Sequence, residues 1–348
     1  MKIGLLVNDI LTEKEDYTTV KIAITALQMG HEVFYFDVED FELMPNEDLN
    51  FFAVHFKELN FKDSKEFVSI LHKRKEKKEK FCIKELDILM LRNNPPEDYK
   101  VRPWAQNVGI IFGRIAARQG VIVLNDPDGL SKAICKTYFQ HFPQEIRPKT
   151  LITRNTDEIL KFYEENGRRI VIKPYQGFGG KKVFLINPDD LPNINQMINA
   201  VGEEGYIIAQ EYLPEVKNGD IRLMVVNGLI LKYQGKIAAF KRVPKSGDIR
   251  ANIHAGGSFE KAEITDEIVR IVDIIRPKLI QDGIFMTGLD IIGNKLMEVN
   301  VFSPGGLVRA ELMEGVNFTE KVIKLLEKKV EYKKIYRNRF SNVEFNTM

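Results

Sequence analysis

Gly288-Leu289-Asp290-Ile291-Ile292-Gly293-Asn294-Lys295-Leu296-Met297-Glu298-Val299-Asn300 reads as two strands turning around Gly293-Asn294. The length of that turn decides which side chains share a face. A two-residue loop at 293–294 pairs Asp290 with Met297, separates Asp290 from Glu298 and Asn300, and splits the apolar residues between faces. A three-residue loop at 293–295 pairs Asp290 with Glu298. It gathers Leu289, Ile291, Met297, Val299 and Val301 on one face and Asp290, Glu298 and Asn300 on the other. The apolar pattern selects this second register. Two carboxylates and an amide oxygen on one face repel unless a cation lies between them, and hard oxygen donors suit Mg²⁺ carrying phosphates. The competing reading is a surface hairpin with its polar residues outward.

Working upstream, Arg222, Lys241, Arg242 and Arg250 share a region with Asn252, Gly256 and Gly257. Arginine captures phosphate or carboxylate bidentately, so this set predicts a phosphate-rich centre. His254 reads as structural, because no other histidine stands at ligand spacing from it. Further upstream, Ile170-Val171-Ile172-Lys173-Pro174 is a strand carrying one lysine, followed by Tyr175-Gln176-Gly177-Phe178-Gly179-Gly180-Lys181 and a second strand over 182–186. The glycines free backbone N–H groups to face a phosphate. This is no P-loop, since GxxxxGK[S/T] is missing and the loop leads into a strand. Lys173, set in an apolar strand, must find an anion or carry a desolvation cost of several kcal/mol.

The first third opens with a strand over 2–7, a helix over 18–29 stopped by Gly30, and strands over 33–36, 86–91 and 121–124, with a helix over about 106–119. That alternation predicts an open parallel α/β sheet. Asn125-Asp126-Pro127-Asp128-Gly129 marks a boundary. Later come strands over 206–209, 222–226 and 229–233 and a helix over 264–279. The run His72-Lys73-Arg74-Lys75-Glu76-Lys77-Lys78-Glu79-Lys80 is expected to be a solvated helix end or surface loop, with a nucleic-acid patch as the alternative. The 348 residues are 44% hydrophobic and 29% charged with net charge +2, which excludes disorder and any global field for nucleic acid or anionic membrane. Only Cys82 and Cys135 occur, so a disulfide framework is not expected. The apolar run after Met1-Lys2 is too short for a signal core or a membrane span. A reducing, cytoplasmic setting is expected.

These residues together resemble the ATP-grasp ligases, most closely the bacterial glutathione synthetases. The matching stretches are Leu91-Arg92-Asn93-Asn94-Pro95-Pro96, Thr150 to Asn155, Ile172-Lys173-Pro174 with Gly177-Phe178-Gly179-Gly180, Gln210-Glu211-Tyr212-Leu213-Pro214, Gly219-Asp220-Ile221-Arg222, Arg250-Ala251-Asn252 through Gly257, and Gly288 through Asn300. The resemblance spans residues 1 to about 330. It implies an α/β (α+β) ATP-grasp fold: an N-terminal open parallel domain (1–126), then a central lid subdomain (127–205) and a C-terminal catalytic subdomain (206–348), whose antiparallel sheets sandwich ATP.

The reaction it implies is ATP-dependent carboxylate–amine ligation through an acyl phosphate, joining γ-glutamylcysteine to glycine. Carried over position by position, Lys132 and Lys173 bind ATP phosphates. Gln176, Gly177, Phe178, Gly179 and Gly180 cover them, Gln210, Glu211, Tyr212 and Leu213 read the adenine, and Asp220 and Arg222 complete the nucleotide site. Asp290, Glu298 and Asn300 hold Mg²⁺, with Mn²⁺ as a substitute, while Arg242, Arg250 and Asn252 act catalytically and Arg92, Ser303, Gly305 and Gly306 meet the substrates. Small-molecule substrates and a homo-oligomer are implied, with neither nucleic acid nor membrane as partner.

Three departures keep alternatives open. Lys136 competes with Lys132 as the second ATP lysine, because the region after Lys132 is about five residues longer than in the family. Gly305-Gly306 follow Ser303-Pro304 where the family carries threonine, so the acceptor is glycine or another amino acid or peptide. Asn94 replaces an aspartate before Pro95-Pro96. From another class, a nucleotide-binding regulatory protein without turnover is the remaining reading.

Overall fold

The structure, a computed structural model, describes residues 1–59, 61–176, 181–203, 205–244 and 257–348. Its first sheet has seven strands: β1 (Lys2–Val7), β2 (Glu32–Asp37), β3 (Phe41–Leu43), β4 (Leu49–Phe56), β5 (Glu79–Cys82), β6 (Ile88–Leu91) and β7 (Ile122–Leu124). The order is β3-β4-β2-β1-β6-β7, with β5 on β4. Strands β2, β1, β6 and β7 are parallel, as the alternating strand and helix pattern predicts. The sheet is mixed, however, because β4 runs antiparallel to β2 and to both β3 and β5. The segment between β2 and β4 holds only β3, too little chain for the helical crossover a parallel pair needs.

Helices α1 (Thr18–Gln28) and α2 (Ser64–Arg74) cover one face of this sheet. On the other, α3 (Pro95–Asp98) precedes α4 (Val108–Arg118), which buries Val108, Ile110 and Ala116. The lysine run is a helix end, as expected, with Lys73, Lys77 and Lys80 exposed. It leads into β5, and two of its lysines turn inward: Lys75 Nζ lies 2.8 Å from Asp9, and Lys78 Nζ 2.7 Å from Asp37 and 2.6 Å from Asp40. Three carboxylates at the ends of β1 and β2 draw them in.

After α5 (Pro127–Lys132) the second sheet forms from β8 (Thr150–Thr153), β9 (Ile170–Pro174), β10 (Phe184–Ile186) and β11 (Ile207–Glu211), antiparallel throughout in the order β10-β9-β11-β8. Its buried face (Ile170, Ile172, Ile207, Ala209) packs on α6 (Thr156–Glu165) and α7 (Ile194–Gly202). Alternation then turns Val171, Lys173, Ile208 and Gln210 to the opposite face. Because β11 lies between β9 and β8, a division at 205/206 cuts through this sheet. The sheets separate between Glu211 and Asp220.

The third sheet is built from β12 (Asp220–Val226), β13 (Leu229–Ile230), β16 (Ala239–Val243), β17 (Ser258–Glu260), β18 (Met286–Ile292) and β19 (Lys295–Asn300). A separate hairpin, β14 (Lys232–Tyr233) and β15 (Lys236–Ile237), interrupts it. The order is β17-β16-β12-β18-β19 with β13 on β12, and α8 (Asp266–Gln281) packs Ile268, Ile271, Val272, Ile275 and Leu279 beneath it. The chain then returns to the first domain. After α9 (Leu307–Glu314), α10 (Phe318–Tyr336) buries Phe318, Val322, Ile323 and Leu326 in the same core as Ile3 and Leu5.

Two amide side chains lock this return. Asn125 donates to the carbonyls of Met286 (2.9 Å) and Val301 (2.8 Å) and accepts from Met286 N–H (2.8 Å), joining the first domain to the third sheet. Asn342, opening α11 (Asn342–Thr347), accepts from Val123 N–H (2.8 Å) and donates to Val123 O (2.9 Å), satisfying the open edge of β7 as a neighbouring strand would. Lys329, fully buried in α10, holds α11 by donating to Phe345 O (2.8 Å) and Asn346 O (3.1 Å). Among the described residues no helix is long and apolar enough to cross a membrane.

Candidate active site

A cleft of about 490 Å³ lies between the open face of the second sheet and the third sheet. Part of its wall is apolar, with Ile134, Val183, Ile292 and Met297 in the lining together with Tyr212 and Leu213. Beside it, the Glu211 carboxylate accepts from Lys149 N–H (2.8 Å), and the Arg169 guanidinium lies 4.0 Å from the centroid of the Tyr212 ring. Gln176 also lines the cleft.

Next along the cleft, Lys173 projects from β9 and donates to Gln210 Oε1 at 3.1 Å. Burial pushes its ammonium down to about 8, the nearby Lys136 adds to this, and Glu298 and Asp290 oppose it. Lys136 lines the cleft with Lys173. Lys132, expected at the phosphates, instead turns to Asp282 (Nζ to Oδ1 2.7 Å) at the end of α8. The fully buried Asp282 side chain also takes Lys278 and Tyr138, and this anion captures Lys132 away from the cleft.

Across the cleft, β18 and β19 bring Asp290 directly opposite Glu298, and Gly288 opposite Asn300. The expected face is present, but its cause differs. The loop has two residues, Ile292 pairing with Lys295 and Ile291 with Leu296, and a bulge shifts the register before Asp290 meets Glu298. Leu296, fully buried, therefore takes the core position expected for Met297, and Met297 lines the cleft. A turn of Gly293 at φ +54° and Asn294 favours the two-residue loop, and one extra residue in β19 restores the apolar alternation.

Asp290 sits among arginines. Arg222 donates to it from Nε (2.5 Å) and Nη2 (2.9 Å), and Arg242 lies 3.0 Å away while also pairing with Asp220. Burial opposes ionisation of Asp290, yet the two guanidinium groups hold its carboxyl at about 2. Asn300 turns its amide nitrogen toward Asp290 (3.4 Å) and Gly288 O (3.3 Å). Glu298 has no ion pair within 4 Å among the described residues, and its carboxylate faces the cleft beside the ionised Asp290 and an amide. This donor set fits a hard divalent cation.

Ser303 and Gly305, expected at the substrates, also line the cleft, as does Asn94, which the sequence marks only as a departure. Ser303 has φ +39° and Gly306 φ +121°, and a Cβ on Gly306 would come within 2.8 Å of the Phe240 ring. At Gly305 a Cβ would meet no atom within 4 Å. Arg92 does not reach the cleft. Only 5% exposed, it donates to Thr19 Oγ1 (3.1 Å) and Pro304 O (3.1 Å), bracing the Ser303–Gly306 turn from below. Residues 177–180, with the glycine loop, and 245–256, with Arg250 and Asn252, lie outside the described residues.

Among the lining residues, Tyr138, Phe139 and Gln140 fall in no stretch that the sequence reading singles out, and no local pattern signals them.

Comparison with known proteins adds sequence likeness to this geometry. The chain matches the prokaryotic glutathione synthetase N-terminal domain over residues 1–131 and the prokaryotic glutathione synthetase ATP-grasp domain over residues 135–315. The glutathione synthetase of Vibrio parahaemolyticus serotype O3:K6 is 29% identical over 339 residues, covering 95% of this chain and 99% of the relative. That of Escherichia coli strain K12 is 29% identical over 336 residues, with coverage of 95% and 99%. Solved structures with the same fold include the macrocyclase MdnC bound with precursor peptide MdnA from Microcystis aeruginosa (TM-score 0.61, 12% identity, 94% of this chain and 99% of that one). The ATP-grasp ligase PsnB complexed with a phosphomimetic variant of its minimal precursor, Mg and ADP is another (TM-score 0.57, 16% identity, 94% and 98%).

Proposed function

The chain belongs to the prokaryotic glutathione synthetase family, and from that membership and the cleft we propose that it joins γ-glutamylcysteine to glycine, with ATP as the activating reagent. It is an ATP-dependent ligase with an ATP-grasp fold. The observation that carries the reading is one cleft in which Lys173 and Lys136 line the same space as Asp290, Glu298 and Asn300, with apolar side chains in the same wall.

A carboxylate is a poor acyl donor, so the reaction needs phosphoryl transfer to the γ-glutamylcysteine carboxylate before the glycine amine displaces phosphate. Lys173 and Lys136 neutralise and position the nucleotide phosphates, and the hinge from Gln210 to Leu213 holds the base. Asp290, Glu298 and Asn300 are the residues that would hold Mg²⁺, which supplies charge neutralisation on the transferring phosphoryl group when bound. Arg242, oriented by Asp220 and Asp290, is aimed where negative charge develops in the transition state. Arg222 bonds Gly305 O (3.2 Å) and so ties the Ser303–Gly306 turn to the carboxylate centre. Arg92 is a positioning residue in this scheme, acting through Pro304. A cytoplasmic setting accords with Cys82 and Cys135 both being free thiols.

The test is ADP release by the purified protein with MgATP, γ-glutamylcysteine and a panel of amino acids, with mass spectrometry of the products. Glycine-dependent release with a glutathione mass is the expected result. Release only with another acceptor would move the substrate, and tight ATP binding without turnover would favour a regulatory protein.

A further inference from the structure

We propose that Thr150 is a positioning residue for the ligase reaction: it fixes which way the Gln210 amide points, and the amide in turn aims the Lys173 ammonium at the nucleotide phosphates. This rests on the reading of Lys173 as a phosphate lysine.

The argument begins with register. Thr150 on β8 lies directly opposite Gln210 on β11, and Lys173 on β9 pairs with Ile208, placing it diagonally beside Gln210 on the same face. Three adjacent strands thus present a row of polar groups to the cleft. Gln210 Nε2 lies 3.1 Å from Thr150 Oγ1, and Gln210 Oε1 accepts from Lys173 Nζ at 3.1 Å.

The polarity of the row is forced from its far end. Thr150 has one hydroxyl proton, and Oγ1 donates it to Pro148 O at 2.9 Å, a carbonyl that can only accept. The hydroxyl can therefore only accept from Gln210, which must turn its NH₂ toward Thr150 and its oxygen toward Lys173. An ammonium only donates, so this is the orientation that lets Lys173 stay charged, with one proton committed to Gln210 and its remaining protons directed elsewhere. Gln210 is 2% exposed, so water does not stand in for a lost partner. Without the Thr150 hydroxyl only the Lys173 ammonium is left in this row to oppose rotation of the amide, and the rotated form sets its donor against that ammonium.

Thr150→Val keeps the branched shape and removes the hydroxyl. The expected result is a rise of about tenfold in KM for ATP, the size of one net hydrogen bond, with kcat within about threefold of the parent. Thr150→Ser should restore KM to within about twofold, and Thr150→Ala, which removes the same acceptor, should match Thr150→Val. Adding Thr150→Val to Gln210→Leu should raise KM no further. An unchanged KM in Thr150→Val or Thr150→Ala, a Thr150→Ser protein as weak as Thr150→Val, or independent multiplication of the Thr150 and Gln210 effects would overturn the proposal. Lys173→Met separates the two readings: if it binds ATP normally, the site reading fails, and if it loses ATP while Thr150→Val does not, only the relay fails.

Discussion

Asp290 on β18 lies opposite Arg222 on β12 and takes both ends of its guanidinium fork, Nε at 2.5 Å and Nη2 at 2.9 Å. With Arg242 and Asp220 this makes a group of two acids and two bases whose charges cancel, so the centre is ionised in advance while remaining nearly neutral. Glu298, opposite Asp290 on β19, stands outside this group. Removing it should therefore be felt by the cation and its phosphates rather than by the fold.

Glu298→Gln should reduce kcat about a hundredfold or more, the loss expected for one strong electrostatic contact at a transition state, with an unchanged unfolding curve. ADP release and thermal unfolding of the variant measure both. Near-parental turnover in the folded variant would remove the metal assignment.

Lys132 and Lys136 make a paired test. Lys136→Met should raise KM for ATP about tenfold or more, because it removes one cation from a cleft that must hold a polyanion. Lys132→Met should leave KM within about twofold and lower stability slightly, since Lys132 is half exposed and Asp282 keeps Lys278 and Tyr138 as partners. The opposite pattern of KM changes would restore Lys132 to the phosphate site.

That pair also shows where sequence reading reached its limit. The spacing of Lys132 from Lys173 says nothing of Asp282, an acid 150 positions further along that the fold brings within 2.7 Å. Similarly, alternation in 288–300 correctly groups Asp290, Glu298 and Asn300, because a buried apolar face tolerates only one registry. It misplaces Met297, since a bulge and a longer loop produce the same facing and differ only in backbone detail. Strands such as β1 and β9 are legible because each is a short apolar run. The strand β4 and the inward turn of Lys75 and Lys78 depend on tertiary partners that no local pattern encodes.

Adjacent glycines should behave differently. Gly306→Ala places a Cβ against Phe240 at a φ that disfavours side chains, and should lower stability by about 2–4 kcal/mol in thermal or urea unfolding. Gly305→Thr meets open space and should change stability by less than about 1 kcal/mol. Because Gly305 lines the cleft, the same variant should raise KM for acceptors bulkier than glycine more than for glycine itself. Equal KM changes for all acceptors would detach Gly305 from the acceptor site.

Glu13 gives a pH signature. Burial pushes its carboxyl up to about 7, while the Tyr35 hydroxyl donates to it at 2.8 Å and Arg92 opposes the shift. The native protein then holds a proton that the unfolded chain releases near pH 4.5, so stability falls as pH rises from about 4.5 to 7. Glu13→Gln mimics the protonated form. It should match the parent at pH 4.5 and exceed it at pH 8 by up to about 3 kcal/mol in chemical unfolding. A parent and variant with parallel stability curves across this range would show that Glu13 titrates normally in the fold.

The pairing of Asn342 with Val123, 219 positions apart, has a kinetic meaning during synthesis. As the chain emerges, β7 is made early, but the amide that satisfies its edge arrives only after the whole catalytic region has been translated. At ordinary elongation rates of about 5–20 residues per second, the nascent N-terminal domain spends tens of seconds with that edge uncapped. The interval is one in which chaperone binding or edge-to-edge association of nascent chains competes with completion of the domain.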